Sequence, residues 1–444
     1  MRLKTDIVVI GGGPAGVGAA VAAARHGAEV ILVEKEGYCG GMGTSGGVPA
    51  FSPYSNGKDI IVKGIALEVR ERLVEKCPDL ATDYEKWQPI DPEFLKQVYD
   101  EILTEAGVKL LFHAQMTGIK KEGECLREVF IQTQHQIINI EAEYFIDCTG
   151  NAELVALADG DLNFGDEDSN VQALTLCFRL GNVDTKRYLK YLEKTGNDGN
   201  LTAAVNEAKK LDDFNIQEIK VAGAINQQKG IVGMNFGHEY EVNPLDPFEL
   251  SQAEVRARGK LDVLVNFMKK YVPGFEEARL IGSGPSIGVR ETRRIIGHYQ
   301  LTEDDYYKRS VPYDVVALSN YPIDLHSATF NEKEEGENKE YYNSRYNKGE
   351  YYGIPYRSLI PIGFKNVGVA GRTISADRKI HGSCRLMNTC ILTGQAVGTA
   401  ATLLVGTSSD LIQVSMEKLQ EVLVTDNMYI PTSNELMGGF YVQS

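Results

Sequence analysis

The sequence has 444 residues, of which 43% are hydrophobic and 24% charged, so we expect a globular protein rather than a disordered, collagenous or coiled-coil chain. Its 46 Lys and Arg against 61 Asp and Glu give a net charge of −15, which disfavours nucleic acid as a partner because an acidic surface repels phosphates. Seven scattered cysteines with no CxxC pair predict free thiols, no metal site and a cytoplasmic location, and the lack of eighteen consecutive apolar residues predicts no membrane span.

The first strand, loop and helix carry the strongest pattern. The β-branched run 7–10 predicts a strand buried on both faces, the Ala- and Gly-rich stretch 17–25 predicts a helix, and 28–33 predicts a second strand. Residues 11–16 between them satisfy G-x-G-x-x-G. This order predicts a dinucleotide-binding βαβ unit, in which glycines let the backbone approach a pyrophosphate at the helix N-terminus. The candidate cofactor-binding residues here are Gly11, Gly13, Pro14, Ala15 and Gly16.

An acidic residue and a second glycine-rich loop follow. Glu34, with Lys35 beside it, ends the second strand, where a carboxylate accepts hydrogen bonds from ribose hydroxyls and disfavours the 2′-phosphate of NADP. The loop 37–47 combines glycines with hydroxyl groups, so its backbone can approach a flat ring system. Such a loop resembles FAD proteins of the glutathione-reductase-like Rossmann type, and FAD is the expected cofactor. The candidate residues in the loop are Gly41, Met42 and Thr44.

The next part of the chain alternates between predicted helices and strands. In the fold that it resembles, Thr149 and Gly150 pass close to the dinucleotide, and Met116 meets the adenine. The predicted elements are a helix at 91–106, a strand at 108–112, a β-meander over 126–132 and 136–141, and a strand at 144–150.

The C-terminal part completes the predicted cofactor domain. Residues 366–372 predict a strand that ends at Gly371 and Arg372, and 392–401 predict a helix of small residues. In FAD folds the last strand and helix close the Rossmann unit over the flavin. The predicted fold class is therefore α/β, with a Rossmann-like FAD-binding domain that has a parallel sheet and a β-meander (1–151 and 353–444) and a large inserted α+β domain (152–352) that holds the substrate.

Two segments of the insert have a local interpretation. Residues 250–271 predict a helix, with Ser251 and Glu254 as a capping box. The charged, tyrosine-rich segment 331–352 predicts a solvated loop, in which tyrosines lie at the surface or contact a substrate.

Three blocks of sequence carry a resemblance to a known family. They are residues 10–47, residues 287–305 together with 321–326, and residues 354–401. In this order they resemble the FAD-dependent oxidoreductase family of the glutathione-reductase-like superfamily, near fumarate reductase and thiazole-synthase-type flavoproteins.

Residues 381–386, His-Gly-Ser-Cys-Arg-Leu, resemble the His-Gly-Ala-Asn-Arg-Leu stretch of fumarate reductase flavoproteins. The resemblance implies that Arg385 clamps a substrate carboxylate and that Asn388 and Thr389 lie by the isoalloxazine. An arginine that contacts only the flavin or its phosphates is the alternative. Fumarate reductases continue Gly-Gly-Asn-Ser where this chain has Met-Asn-Thr-Cys, so the resemblance does not imply the same substrate.

Proton transfer requires an acid or base beside the substrate. His381 adjoins the Arg385 loop and His326 lies in a family-like stretch, and imidazole titrates near neutral pH. Arg290 and Arg294 have i,i+4 spacing and would share one face of a helix. Two interpretations of the cluster around Arg290 stay open at this stage: a buried salt-bridge network, or contact with an anionic substrate or flavin.

The sequence thus predicts an FAD-dependent oxidoreductase that transfers a hydride between flavin N5 and a small organic substrate, one that can carry a carboxylate. The alternatives are an FAD-dependent synthase or modifying enzyme, and a non-enzymatic flavoprotein subunit that passes electrons to a partner. We expect non-covalent FAD and a small-molecule substrate. An external electron donor or acceptor and an oligomeric state are left open.

Overall fold

The computed structural model of the chain describes residues 1–211, 221, 223–330 and 343–431. Its helices are α1 (Pro14–Arg25), α2 (Gly64–Lys76), α3 (Pro92–Glu105), α4 (Glu153–Leu157), α5 (Thr185–Lys194), α6 (Thr202–Lys210), α7 (Pro247–Tyr271), α8 (Glu303–Lys308), α9 (Arg378–Cys384), α10 (Met387–Leu404) and α11 (Met416–Thr425). Its strands are β1 (Arg2–Ile10), β2 (Val30–Val33), β3 (Ala50–Phe51), β4 (Gln88–Pro89), β5 (Lys109–Leu111), β6 (Gln115–Glu122), β7 (Cys125–Gln132), β8 (Ile137–Asp147), β9 (Leu162–Phe164), β10 (Leu174–Thr175), β11 (Phe178–Gly181), β12 (Ile225–Gln228), β13 (Ile231–Met234), β14 (His238–Glu239), β15 (Arg279–Ser283), β16 (Arg293–Ile295), β17 (Val315–Ser319), β18 (Tyr352–Pro355) and β19 (Val367–Val369).

The central sheet has the order β5-β2-β1-β8-β7-β6, with β19 also paired to β8. Strands β5, β2, β1, β8 and β19 pair in parallel, whereas β6 and β7 form an antiparallel meander that continues into β8. The buried β-branched runs predicted as strands supply the parallel core of this sheet. The predicted α/β class, with a parallel sheet and a β-meander, is confirmed.

Strand β8 pairs with two strands in succession along its length, and the C-terminal part of the chain joins the sheet there. Its first half pairs with β7 and its second half with β19. At the branch, the side-chain amide of Asn366 donates to the carbonyl oxygens of Leu126 and Glu143, each at 2.8 Å, and its Oδ1 accepts from the Leu126 N–H at 2.9 Å. This side chain therefore satisfies backbone groups that the divergence of β7 and β19 would leave unpaired.

Helix α1 packs against α10 with almost no space between the two backbones. A Cβ added at Gly394 would lie 2.0 Å from the carbonyl oxygen of Ala15, and one at Gly398 would lie 2.2 Å from that of Ala19. From the other side, a Cβ at Gly18 would lie 2.3 Å from the carbonyl oxygen of Ile391. The small residues predicted in both helices therefore serve this close contact.

A second core lies around the antiparallel sheet β12-β13-β11-β15, which α7 covers. Phe178, Phe236 and Leu264 are among its buried residues. The domain boundaries at 152 and 352 stay a prediction. One observation bears on them: residues of β17 and β18 pack in the same core as α1 and α10, rather than around the second sheet.

The prediction of a capping box at Ser251 is wrong, because α7 begins at Pro247, four residues before Ser251. Asp246 caps it, and its carboxylate accepts from the N–H groups of Phe248 and Glu249. Pro247 occupies the first helical position, where its missing N–H costs nothing. Ser251 lies inside the first turns and donates its hydroxyl to the carbonyl oxygen of Pro247.

The tyrosine-rich segment was expected to be a solvated loop. Residues 331–342 of it lie outside the described residues. In the described remainder, Tyr351 and Tyr352 are buried, and the Tyr352 hydroxyl lies 2.9 Å from Oγ of Ser383. For these residues the expectation is wrong, since the following strand β18 carries them into the core.

All seven cysteines are free. Among the described helices, none has the length and apolar character needed to cross a bilayer.

The α1–α10 contact predicts opposite effects for two Gly→Ala substitutions in helices. Gly398→Ala places a methyl group against the backbone of α1, so we expect a loss of about 2–3 kcal/mol in the free energy of unfolding. Gly259→Ala is the matched control, because a Cβ at this α7 position meets nothing within 4 Å; alanine there should stabilise the protein by about 0.5–1 kcal/mol. Urea unfolding of both variants measures the difference. A Gly398→Ala protein as stable as the parent would contradict the described packing.

Candidate functional site

A cleft of about 340 Å³ runs along the carboxyl ends of β1, β2, β8 and β19. Open α/β sheets bind ligands at this edge. The cleft brings together most of the cofactor-binding residues predicted from the sequence: Gly11, Gly13, Pro14, Ala15, Glu34, Lys35, Gly41, Met42, Met116, Thr149, Gly150, Gly371 and Arg372.

The glycine loop is shaped to admit a ligand at the start of α1. Gly11 has φ +95°, and a Cβ there would lie 2.7 Å from the carbonyl oxygen of Cys148, so the turn requires glycine. Gly16 packs against Gly11, whereas a Cβ at Gly13 would meet nothing within 4 Å, so Gly13 faces open space. Helix α1 has no side-chain cap and no acidic residue in its first turn. Its N-terminus can therefore bind a diphosphate.

Glu34 lies at the end of β2, where a ribose would be bound. Its Oε2 accepts from the Gly12 N–H at 2.6 Å and its Oε1 from the Glu36 N–H at 2.9 Å. Burial raises the pKa of this carboxyl. A carboxylate has room for further hydrogen bonds on each oxygen, so both backbone contacts are compatible with ribose hydroxyls as additional donors.

Asp147, which the sequence analysis did not single out, fixes the turn that carries Thr149 and Gly150. It is fully buried at the end of β8. Its Oδ1 accepts from the Thr149 N–H at 2.9 Å and hydroxyl at 2.7 Å, and its Oδ2 accepts from the N–H groups of Leu154 at 2.9 Å and Val155 at 3.2 Å. Burial nevertheless raises the pKa of Asp147 from 3.8 to about 6. An acid at a strand end, two residues before Thr149 and Gly150, was the available sequence signal.

A second cavity of about 150 Å³ adjoins the cleft. Trp87 and Tyr321 are among its lining residues, and their rings meet edge to face with centroids 5.7 Å apart. The two cavities share a wall, so ligands bound in either cavity can contact the same side chains. The residues of this shared wall are Met42, Val289, Arg372, Arg385 and Met387.

Three arginines, Arg290, Arg372 and Arg385, converge on the second cavity. No salt bridge between described residues involves any of them. The Nε of Arg385 is buried without a hydrogen-bond partner in the part of the chain that the structure describes. The other contacts are to neutral acceptors: Ala173 O (2.6 Å) and Thr175 Oγ1 (2.7 Å) for Arg290, Gly150 O (2.6 Å) for Arg372, and Asp324 O (3.0 Å) and Gln172 Oε1 (3.3 Å) for Arg385.

These guanidinium groups keep their charge. Burial, together with the smaller effect of the neighbouring Arg385 charge, lowers the pKa of both Arg290 and Arg372 to about 10. At neutral pH they are therefore still cationic. Although the protein is acidic overall, this cavity concentrates positive charge and favours an anion.

Comparison with known families decides the class of the protein. The model of the family described as "FAD dependent oxidoreductase" matches residues 6–423. The chain belongs to this FAD-dependent oxidoreductase family. FAD is therefore its cofactor, and the protein is an enzyme. None of the curated proteins matches its sequence.

Several solved structures are similar to this chain over most of its length, at low sequence identity. A geranylgeranyl bacteriochlorophyll reductase-like protein from Thermoplasma acidophilum is 13% identical, with 96% of this chain and 85% of that chain covered and a TM-score of 0.47. The p-nitrophenol 4-monooxygenase of Pseudomonas putida is 13% identical, with 96% and 84% covered and a TM-score of 0.47. The anhydrotetracycline hydroxylase of Streptomyces rimosus is 10% identical, with 95% and 65% covered and a TM-score of 0.48. Sequence identity and TM-scores this low do not indicate which reaction this FAD-dependent oxidoreductase catalyses.

Some predicted residues lie outside both cavities. His381 is buried behind Arg372, and its Nε2 donates to the Arg372 carbonyl oxygen at 2.8 Å. Burial, reinforced by neighbouring arginines, lowers its pKa well below 6.5, so it stays neutral. Its position does not support a role in proton transfer. Gly16, Thr44, Asn388 and Thr389 also do not line either cavity.

Two of these residues support the walls instead. The Thr44 hydroxyl donates to the carbonyl oxygen of Cys39 at 3.0 Å, which closes the second glycine loop. Asn388 is fully buried and accepts from the Ser52 hydroxyl at 2.8 Å, so it ties the start of α10 to a strand next to the second cavity.

The helix expected for Arg290 and Arg294 is wrong, because this stretch is extended and Arg294 lies in β16. Arg294 donates to Glu291 at 2.7 Å, and Arg378 donates to the same carboxylate at 3.2 Å. These three residues form the salt-bridge network, whereas Arg290 faces the second cavity. The salt-bridge interpretation thus describes Glu291 and Arg294, whereas contact of Arg290 with an anionic substrate or flavin stays a prediction.

The raised pKa of Asp147 gives a pH dependence with a definite sign. Because its pKa is higher in the folded state, the Asp147 carboxyl makes its full contribution to the free energy of unfolding below about pH 4. That contribution, up to ~3 kcal/mol, is lost as the pH rises through 6. Asp147→Asn cannot titrate and loses acceptor capacity, so we expect it to be less stable by ~2 kcal/mol at pH 4.5, with a smaller gap at pH 7. Urea unfolding at both values measures the gap, with the exposed Asp168→Asn as control. A gap that widens towards pH 7 would refute the proposed linkage.

Proposed function

We propose that this FAD-dependent oxidoreductase transfers a hydride between flavin N5 and a small organic substrate that carries a carboxylate, held in the second cavity. The observation that carries the proposal is the set of cationic side chains without carboxylate partners at the wall shared with the cofactor cleft. Arg385 is central to it, because its Nε is a buried donor without an acceptor among the described residues. A substrate carboxylate would supply that acceptor.

The proposed cofactor contacts follow from the cleft. The glycine loop and the N-terminus of α1 would hold the pyrophosphate, Glu34 the ribose, and Met116 the adenine. The shared wall, with Met42 and Arg372, would meet the isoalloxazine. A bound flavin supplies a hydride acceptor or donor at N5. Binding without a covalent bond stays a prediction, and the raised pKa of the buried Cys390 thiol, about 12, is consistent with it.

The protein's own part in the reaction is to bind, orient and shield the substrate. Arg385 would bind the carboxylate, and Arg290, fixed by Thr175, would add a second cationic contact. The rings of Trp87 and Tyr321 would cover the apolar part of the substrate and exclude water from the cavity. Excluding water strengthens the charge interactions within the cavity.

The remaining predictions, on alternative functions, partners and location, have different outcomes. Family membership makes the protein an enzyme, so the alternative of a non-enzymatic electron-carrying subunit is set aside. No feature of the described residues favours a synthase or modifying enzyme over a simple oxidoreductase. An external electron donor or acceptor, an oligomeric state and a cytoplasmic location stay predictions.

The carboxylate site can be tested before the substrate is known, with benzoate as a planar carboxylate probe. We expect benzoate to perturb the absorption of the bound flavin, and benzamide, its neutral counterpart, to do so far more weakly. Arg385→Gln should weaken benzoate binding about 100-fold, since a hydrogen-bonded charge pair contributes ~1.5–3 kcal/mol. Titration of the FAD-loaded protein followed by visible absorption measures both constants.

The control variant is Arg127→Gln, which removes an exposed arginine of the β-meander. It should leave both FAD content and benzoate binding unchanged. If Arg385→Gln loses FAD and benzoate to the same extent, or if benzamide binds as tightly as benzoate, the substrate role of Arg385 is refuted.

A further inference from the structure

Two histidines lie in contact at the edge of the substrate cavity. Nδ1 of His326 lies 3.1 Å from Nε2 of His238, which is hydrogen-bonding distance. On the other side of the His326 ring, Nε2 lies 3.8 Å from Oδ1 of Asp324. His326 and Asp324 both line the cavity, whereas His238 is buried behind them.

The fold holds this pair in register with the arginines. Strand β14 carries His238 and pairs with β10, which places His238 opposite Thr175, the residue that binds Arg290. On the other side, Oε1 of the buried Gln172 accepts from the His326 backbone N–H at 3.1 Å and from Arg385 at 3.3 Å. The histidine pair is therefore fixed relative to the proposed carboxylate site.

A hydrogen bond between two imidazoles holds one hydrogen. When Nδ1 of His326 carries it, Nε2 of His326 is a base on the cavity side; when Nε2 of His238 carries it, Nε2 of His326 bears a hydrogen and is an acid. A proton taken up at Nε2 of His326, together with movement of the shared proton across 3.1 Å to His238, converts the first arrangement into the second and leaves the added positive charge on His238. The nearby Asp324 carboxylate favours the cationic state of the pair.

We infer that His326 exchanges a proton with the substrate and that His238 is the positioning residue that relays it. The inference rests on the proposed function, because it needs a substrate in this cavity. During oxidation the substrate would give a hydride, with its two electrons, to the flavin, while the bond of its O–H or N–H proton breaks and that proton binds Nε2 of His326. The N–H bond at Nδ1 of His326 would break as one forms at Nε2 of His238, which leaves His326 neutral and His238 cationic. Reduction of a substrate reverses each step.

Other charged or titratable groups lie near the histidine pair and influence its protonation. Lys260 donates to the carbonyl oxygen of His238 and pairs with Glu239, and the Tyr240 ring stacks on His238 with centroids 6.0 Å apart. Because the pair has these neighbours and shares one hydrogen, its two rings should titrate as a unit. Among the residues that the structure describes, the titratable or charged groups around the pair are Asp324, Glu239, Tyr240, Lys260, Arg256, Arg290 and Arg385.

Histidine ¹⁵N NMR of the FAD-loaded protein tests the relay without a substrate. In the parent protein we expect the ring signals of His238 and His326 to move together with one midpoint as the first proton binds, with a second proton binding only at least ~1 pH unit lower. His238→Gln keeps a hydrogen-bond donor but cannot titrate, so His326 should then titrate alone with a shifted midpoint. Independent midpoints in the parent, or an unchanged His326 midpoint in His238→Gln, would overturn the relay.

Calorimetry with benzoate, in two buffers of different ionisation enthalpy, tests the link to the cavity. A carboxylate bound beside the pair should favour its protonated state, so the parent should take up protons on binding at pH 7. His326→Phe should bind benzoate with that uptake lost, while the exposed His135→Gln should behave as the parent. Equal uptake in the parent and in His326→Phe would refute the role of His326. A complete failure of benzoate to bind would instead count against the proposed function, and the NMR titration would still decide the relay.

Discussion

The close contact between α1 and α10 is the constraint on which the site depends. Gly18, Gly394 and Gly398 let the two helices approach until backbone meets backbone. Helix α10 begins at Met387, two residues after Arg385, so this contact fixes the Arg385 loop beside the glycine turn that opens α1. Residues far apart in sequence thereby form one wall between the cofactor cleft and the second cavity.

The charge distribution follows from that arrangement. Burial of a cation without a carboxylate partner costs free energy, and this protein places three around one cavity, with Arg290 buried and Arg372 and Arg385 half-buried. Neutral backbone and side-chain acceptors hold Arg290 and Arg372 in place and offset only part of that cost. A bound anion can offset the rest, so the free-energy cost of burying these cations is relieved when the anion binds and adds to its affinity.

The sequence predicted what depends on local pattern. The glycine loop, the first two parallel strands and Glu34 are encoded within forty residues, so the sequence alone could bring together most of the residues that line the cleft proposed for the cofactor. The histidine pair could not, because His238 and His326 are 88 residues apart and meet through tertiary contacts: β14 pairs with β10, and Gln172, just before β10, accepts from the His326 backbone N–H. His381 looked equally suitable in sequence, but its burial behind Arg372 is a property of tertiary packing.

A crystal structure of the FAD-loaded protein with bound benzoate tests the central claim most directly. The account predicts that the benzoate carboxylate contacts the Nε and Nη groups of Arg385, with Arg290 nearby, and that the isoalloxazine lies against the shared wall between the two cavities. Benzoate bound away from these arginines, or an isoalloxazine that does not reach the shared wall, would contradict it.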